Sequence, residues 1–179
     1  MLKKILLILA AIIAIILVAA VFQPAEFRVT RSATIAAPAA TVFAEINDFH
    51  RWQAWSPWEK LDPTMKRTFE GPASGVGASY GWEGNSDVGA GRMTISESKP
   101  AEIIRIKLEF LKPMPGECPT EFAFRSDGGA TTVTWTRSGT NSYLAKIMCL
   151  FMSMDKMIGG DFEKGLGTLK QLAESAPRK

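Results

Sequence analysis

Few residues of this 179-residue chain have the type and spacing that chemistry asks for. Gly77-Ala78-Ser79-Tyr80-Gly81 spells the G-x-S-x-G pattern of a serine nucleophile. That motif works only on a sharp strand-to-helix turn, with a histidine later in the chain to take the serine proton. The only histidine, His50, comes earlier, and strand-like alternation runs on through Trp82. A bent strand flanked by two glycines accounts for the string better than a hydrolase does. His50 could itself serve as an acid or base. Asp48, Arg51 and Gln53 surround it, however, so a solvated position on a short helix is expected. Glu70, Glu83 and Glu97 fall in strand-like segments. One of them, buried with a raised pKa, would make a general acid or base. The alternation sets Glu83 opposite Tyr80 and Trp82, which points it to water.

Gly75-Val76-Gly77 and Gly89-Ala90-Gly91 each open like a dinucleotide fingerprint, but Tyr80 and Thr94 stand where the third glycine belongs. No parallel strand–helix unit surrounds either pair, so turns and sheet curvature explain them. No set of His, Cys, Asp and Glu has metal-ligand spacing, and no cofactor is implied. Cys118 and Cys149 would allow one disulfide in an oxidising compartment. The setting Ile147-Met148-Cys149-Leu150-Phe151 suits a thiol used as a small core group instead.

Two clusters suggest binding rather than catalysis. Trp52, Trp55 and Trp58 lie within seven residues, and could rim a cavity, meet a membrane interface or pin short helices to a sheet. Met148, Met152, Met154 and Met157 could form an adaptable gate, touch a bilayer or pack a long helix. Net charge is +3, and Lys3 and Lys4 supply two of those charges. The remainder is nearly neutral with no basic stripe, which argues against nucleic acid as a partner. Hydrophobic residues make up 46% of the chain, too many for a disordered one.

The elements that would position these groups follow from periodicity. Ile5 to Phe22 is an 18-residue run without a charge. As a helix it spans about 27 Å, against about 30 Å of bilayer hydrocarbon. Lys3 and Lys4 in front of it place the N-terminus in the cytoplasm and the remainder across the membrane. Residues 1–23 are thus read as a membrane anchor of a single-pass inner-membrane protein, with residues 24–179 as one domain on the periplasmic or extracytoplasmic side. Val18-Ala19-Ala20 also offers a signal-peptide cleavage pattern, and a mature chain starting at Val21 would exclude the anchor.

Phe27, Val29, Arg31, Ala33 and Ile35 share one face of a first strand. Pro38 opens a short helix through about Ile46, and Phe49 to Trp55 reads as a second, followed by a loop between Pro57 and Pro63. Six strands in hairpins follow, with Asp127-Gly128-Gly129 as the clearest turn. Ile158, Phe162, Leu166, Leu169 and Leu172 then recur at helical spacing, and Asp161 after Gly159-Gly160 is placed to cap that helix. An antiparallel sheet with one apolar face needs a cover, and the terminal helix supplies it. The inward set reads Tyr80, Trp82, Met93, Ile95, Ile106, Leu108, Phe110, Phe122, Phe124 and Trp135.

Several strings carry a specific resemblance across about Phe27 to Glu174. They are Ser32-Ala33-Thr34-Ile35-Ala36-Ala37-Pro38 with Val42-Phe43, Ile46-Asn47-Asp48-Phe49 with Trp52 and Trp55, and Trp55-Ser56-Pro57-Trp58-Glu59. Gly75-Val76-Gly77-Ala78-Ser79-Tyr80, Trp82-Glu83-Gly84-Asn85 and Asp161-Phe162-Glu163-Lys164-Gly165-Leu166 complete the set. The chain resembles the SRPBCC or START-like helix-grip superfamily, and within it the bacterial polyketide cyclase/dehydrase and lipid transport group. The resemblance implies an α+β fold: a curved antiparallel seven-stranded sheet wrapped on a long C-terminal helix, with two short helices after the first strand. It implies a cavity for a hydrophobic small molecule or lipid, not one reaction. Tyr80, Trp82, Phe110, Phe122 and Trp135 are the expected walls, with Phe162 and Leu166 as the helical cover. Three functions stay open: binding of an apolar ligand at a membrane, a cyclase or dehydratase acting on an apolar or aromatic substrate, and a non-catalytic partner-binding or stress-response module with a filled core.

Overall fold

The computed structural model describes residues 1–176. Helix α1 (Leu2–Val21) leads into strand β1 (Glu26–Ile35), helix α2 (Ala39–Asn47) and two 3-10 turns at Phe49–Ala54 and Pro57–Lys60. Six strands follow: β2 (Lys66–Glu70), β3 (Ser79–Glu83), β4 (Ala90–Lys99), β5 (Ile103–Lys112), β6 (Gly116–Asp127) and β7 (Ala130–Thr140). Helices α3 (Tyr143–Cys149) and α4 (Met154–Ser175) end the described chain.

All pairings in the seven-stranded sheet are antiparallel, in the order β1-β7-β6-β5-β4-β3-β2. Strands β1 and β2, neighbours in sequence, lie on opposite edges. The segment between them, with α2 and both 3-10 turns, must therefore cross from edge to edge. A bulge in β4 between Ile95 and Glu97 bends the sheet. At the β6–β7 hairpin Gly128 and Gly129 both take positive φ, which residues with a Cβ seldom adopt.

The two faces of the sheet differ in chemistry. On the convex side β1 and β7 are tied by hydroxyl pairs: Thr30–Thr136 at 3.1 Å, Ser32–Thr134 at 2.9 Å and Thr34–Thr132 at 3.1 Å. Each such cross-strand pair adds about 0.2–1 kcal/mol. The concave side carries the buried apolar set, including Val29, Ile95, Ile106, Phe122, Val133 and Trp135. Helix α4 lays Phe162, Leu166, Leu169 and Ala173 onto it, all 3% exposed or less. Full burial of side chains of this size contributes about 1.5–3 kcal/mol each.

Three expectations need correction. Asp161 does not cap α4 but sits inside it. The helix starts at Met154, where the Ser153 side chain accepts from the Lys156 N–H at 3.3 Å. Gly159 and Gly160 are therefore mid-helix. Gly159 lets the Arg31 guanidinium lie close against the helix, where a Cβ would push it aside. The stretch after Pro57 is not all loop, since Pro57–Lys60 forms a 3-10 turn. The helix expected from Phe49 to Trp55 is likewise 3-10, capped by Asp48, whose carboxylate accepts from the His50 N–H at 2.9 Å.

Helix α1 is long and apolar enough to cross a membrane. Almost all of it is exposed, and α3 lies beside it with the Tyr143 hydroxyl donating to the Leu17 carbonyl at 2.7 Å. Helix α3 has no buried residue, and Tyr143, Leu144, Met148, Phe151 and Met152 are all exposed.

Candidate functional site

Under the concave face, between β3–β7 and the two 3-10 turns, lies a cavity of about 150 Å³. One wall is the sheet: Tyr80, Met93, Leu108 and Trp135, with Trp82 and Phe110 toward its edge. The other is the 3-10 segment with Trp52, Ser56, Trp58 and Glu59, and Met65 beyond it. A space of this size accepts a benzene-sized ring.

The sheet side is set by strand alternation, which points Tyr80 and Trp82 to one face of β3. The Trp82 ring packs against Gly91 of β4, where a Cβ would collide with it and with the Glu109 carbonyl. Its indole N–H donates to the Val88 carbonyl at 3.0 Å and holds the β3–β4 turn over the rim. Asp62 fixes the same turn from the other side, accepting from the Asn85 N–H at 2.8 Å and the Thr64 hydroxyl at 2.7 Å. These hydrogen bonds, Thr64's foremost, hold its carboxyl below the usual range.

The tryptophans divide by role. Trp52 donates to the Ile46 carbonyl at 3.0 Å and Trp55 to the Glu45 carbonyl at 3.1 Å, so both pin the 3-10 segment to α2. Trp52 also reaches the cavity wall, and Trp58, half-buried, faces Trp135 edge-on at 5.7 Å. Of the expected ligand residues, Tyr80, Trp82, Phe110 and Trp135 are brought together around the cavity. Phe122, Phe162 and Leu166 are not among its lining residues. Phe122 packs on Trp52, Trp55 and Trp135, and Phe162 stacks on Trp135 at 4.1 Å and 3°. Their rings fill part of the space that the alternation left open.

Two buried charged groups on the walls escaped the sequence reading. The first is Glu59, 9% exposed. It accepts from the Tyr80 hydroxyl at 2.5 Å and from the Arg67 Nε at 2.8 Å. Burial first, and then Glu59, push the Tyr80 phenol pKa up, so it stays protonated and donating. The second is Arg137, 9% exposed, whose guanidinium lies over the rings of Trp58 at 5.3 Å and Phe162 at 5.5 Å. Burial lowers its pKa to about 10, which still leaves a cation at neutral pH. Carrying the β7 alternation Val133–Trp135 one step further would have found it. The same step along Phe124–Phe122 of β6 reaches Thr120, directly opposite Arg137.

The other chemical candidates do not converge. Ser79 opens β3, with no strand-to-helix turn after it, and donates to the Met93 carbonyl at 3.1 Å. His50 is exposed, with Nδ1 2.8 Å from an Asp48 oxygen and its ring stacked on Phe69 at 4.1 Å. Glu70 pairs with Arg92, Glu83 with Lys112, and Glu97 with Arg105 and Lys99, all away from the cavity. Cys118 and Cys149 are free thiols. Among the described residues, no group of three or more His, Cys, Asp or Glu gathers as a metal site would require.

A curved sheet closed by a terminal helix over a small apolar cavity defines the helix-grip class of domain. The family described as polyketide cyclase / dehydrase and lipid transport matches residues 26–174, and the chain belongs to it. No curated protein matches the chain. Among solved structures it is similar to the Zhui aromatase/cyclase from Streptomyces sp. R1128, at 16% identity and TM-score 0.60, covering 83% of this chain and 94% of that one. The di-domain aromatase/cyclase BexL from the BE-7585A biosynthetic pathway gives 16% identity and TM-score 0.62, over 89% of this chain and 53% of that one. The Aha1 protein of Colwellia psychrerythraea gives 14% and 0.59, over 83% and 97%. At these identities the likeness is one of fold.

Proposed function

We propose that this protein is a membrane-tethered binding domain for an apolar small molecule, seating a ring-sized portion of it under the sheet. The observation that carries this reading is the cavity of about 150 Å³ walled by Trp52, Trp58, Tyr80, Trp82, Phe110 and Trp135. Such sites are mostly apolar with a few placed polar groups. The volume suits one ring, or the end of a longer lipid, rather than a whole acyl chain. The tether is α1, with Lys3 and Lys4 on the cytoplasmic side and residues 24–179 on the opposite side of the inner membrane. The exposed apolar residues of α3 beside α1 fit a surface held against lipid.

Full-length protein in lipid nanodiscs should bind toluene saturably by ligand-observed NMR. Leu108→Phe, which fills the cavity from the sheet side, should abolish that binding while the protein stays folded. Absence of saturable toluene binding by the unmodified chain would overturn the reading. N-terminal sequencing of membrane-extracted protein tests the tether: a start at Val21 excludes it.

Cyclisation or dehydration of an aromatic substrate is the second reading, favoured by Glu59 and Tyr80 side by side on the wall. It requires Tyr80→Phe to abolish turnover while sparing toluene binding.

A further inference from the structure

The cavity has a chemically distinct end. Thr120, Trp135 and Arg137 adjoin one another where β6 pairs with β7, in the register Thr120↔Arg137 and Phe122↔Trp135. All three line the cavity and are buried, at 3%, 1% and 9% exposure. Thr120 Oγ1, Trp135 Nε1 and Arg137 Nε have no hydrogen-bond partner among the described residues. Three such orphans in one spot are unusual, because buried polar groups are almost always paired and each unpaired one is destabilising. A buried guanidinium without a carboxylate is costlier still.

The charges lining the cavity do not balance internally. Glu59 is already held by Arg67 and Tyr80. Asp87 is exposed at the rim. Arg137 lies over the rings of Trp58 and Phe162 and makes no ion pair among the described residues. A cation–π contact uses up no N–H donor, and the N–H fork of a guanidinium matches a planar, two-oxygen anion. The indole N–H and the threonine hydroxyl beside it are further donors.

We propose that the ligand is a carboxylic acid on an aromatic or compact apolar skeleton, its carboxylate held by Arg137, Trp135 and Thr120 and its ring in the cavity. The proposal rests on the reading of the cavity as an apolar binding site and adds the group by which a ligand is chosen. A neutral hydrocarbon of equal shape would leave the three donors unanswered. A carboxylate neutralises Arg137 and satisfies all three at once.

The test uses the full chain in nanodiscs and two probes of nearly equal shape, benzoate and benzyl alcohol, with affinities from calorimetry or ligand-observed NMR at neutral pH. Charge-assisted hydrogen bonds are worth about 1.5–3 kcal/mol, so benzoate should bind about 10- to 100-fold more tightly than benzyl alcohol. Arg137→Met should remove that preference. Thr120→Val and Trp135→Phe should each reduce it in part. If benzyl alcohol binds as tightly as benzoate to the unmodified protein, the carboxylate site is overturned while the apolar cavity stands. If neither binds, both readings fall. The comparison on the unmodified protein needs no variant, so the inference remains testable should Arg137→Met fail to fold.

Discussion

Two arginines occupy the same concave face on adjacent strands, Arg31 on β1 opposite Trp135 and Arg137 on β7 opposite Val29. Arg31 is answered in full. Its guanidinium donates to both Asp155 oxygens at 2.7 and 2.9 Å and to Glu163 at 2.6 Å, all from α4. Gly159 lies against it without a side chain to obstruct the pairing. That site is closed, and what it does is fix the first half of the terminal helix to the edge of the sheet. Arg137, two residues along β7 from Trp135, meets no acid among the described residues. Residue type and strand position are the same for both. What separates them is which part of α4 reaches each: the acidic, glycine-containing start of the helix covers Arg31, whereas the aromatic Phe162 covers Arg137.

Breaking the aromatic cover should disturb this contrast most. Phe162→Ala removes the ring shared by Trp135 and Arg137 and should cost about 3–5 kcal/mol in denaturant unfolding. It should also admit water to Arg137, so that the benzoate preference shrinks although the charge remains. Arg137→Met comes next, and its sign is the informative part. Removing a buried, unpaired charge should stabilise the ligand-free protein by about 1–3 kcal/mol. Arg31→Met removes a satisfied cation and leaves two carboxylates beside each other, so it should destabilise. Equal signs for the two methionine variants would break the comparison.

The adjacent glycines give a smaller pair of opposite effects. A Cβ at Gly160 would meet nothing within 4 Å, so Gly160→Ala should stabilise α4 by about 0.5–1 kcal/mol. Gly159→Ala forces the Arg31 guanidinium aside and should lose that benefit. The smallest expected effect is set by pH. Arg31 holds the Asp155 pKa below its ordinary 3.8 in the folded protein. The stabilisation is therefore complete above that value and is lost as pH falls through the lower, folded one. Hydrogen exchange should show the start of α4 losing protection in that acidic window, with the strands around Arg137 unchanged.

Local periodicity was enough to read most of the fold. Alternation marked β1, β3, β5, β6 and β7, whose buried positions fall almost entirely on one face, whereas β2 has no fully buried position. The spacing Ile158–Phe162–Leu166–Leu169 located the terminal helix. The start lies earlier than Gly159-Gly160 suggests, and the Arg31 guanidinium packed against Gly159 accounts for one of the two glycines inside the helix. The candidate site was legible by half. Tyr80, Trp82, Phe110 and Trp135 follow from the inward phase of their strands. Phe122 shares that phase, and Phe162 and Leu166 lie on the inward stripe of α4, but whether an inward side chain lines a space or fills it depends on neighbours from other elements. Glu59 was hidden in a segment read as loop, where no period exists to give it a direction.

The amino-acid order alone thus determined the strands, the apolar N-terminal helix, the covering helix and the sign of each face, since these depend on neighbours within a few residues. Only the tertiary structure decided which inward charge is paired and which meets no acid among the described residues. Arg31 and Asp155 are 124 residues apart in the chain, and electrostatic pairing depends on distance in space, to which sequence spacing on that scale is blind.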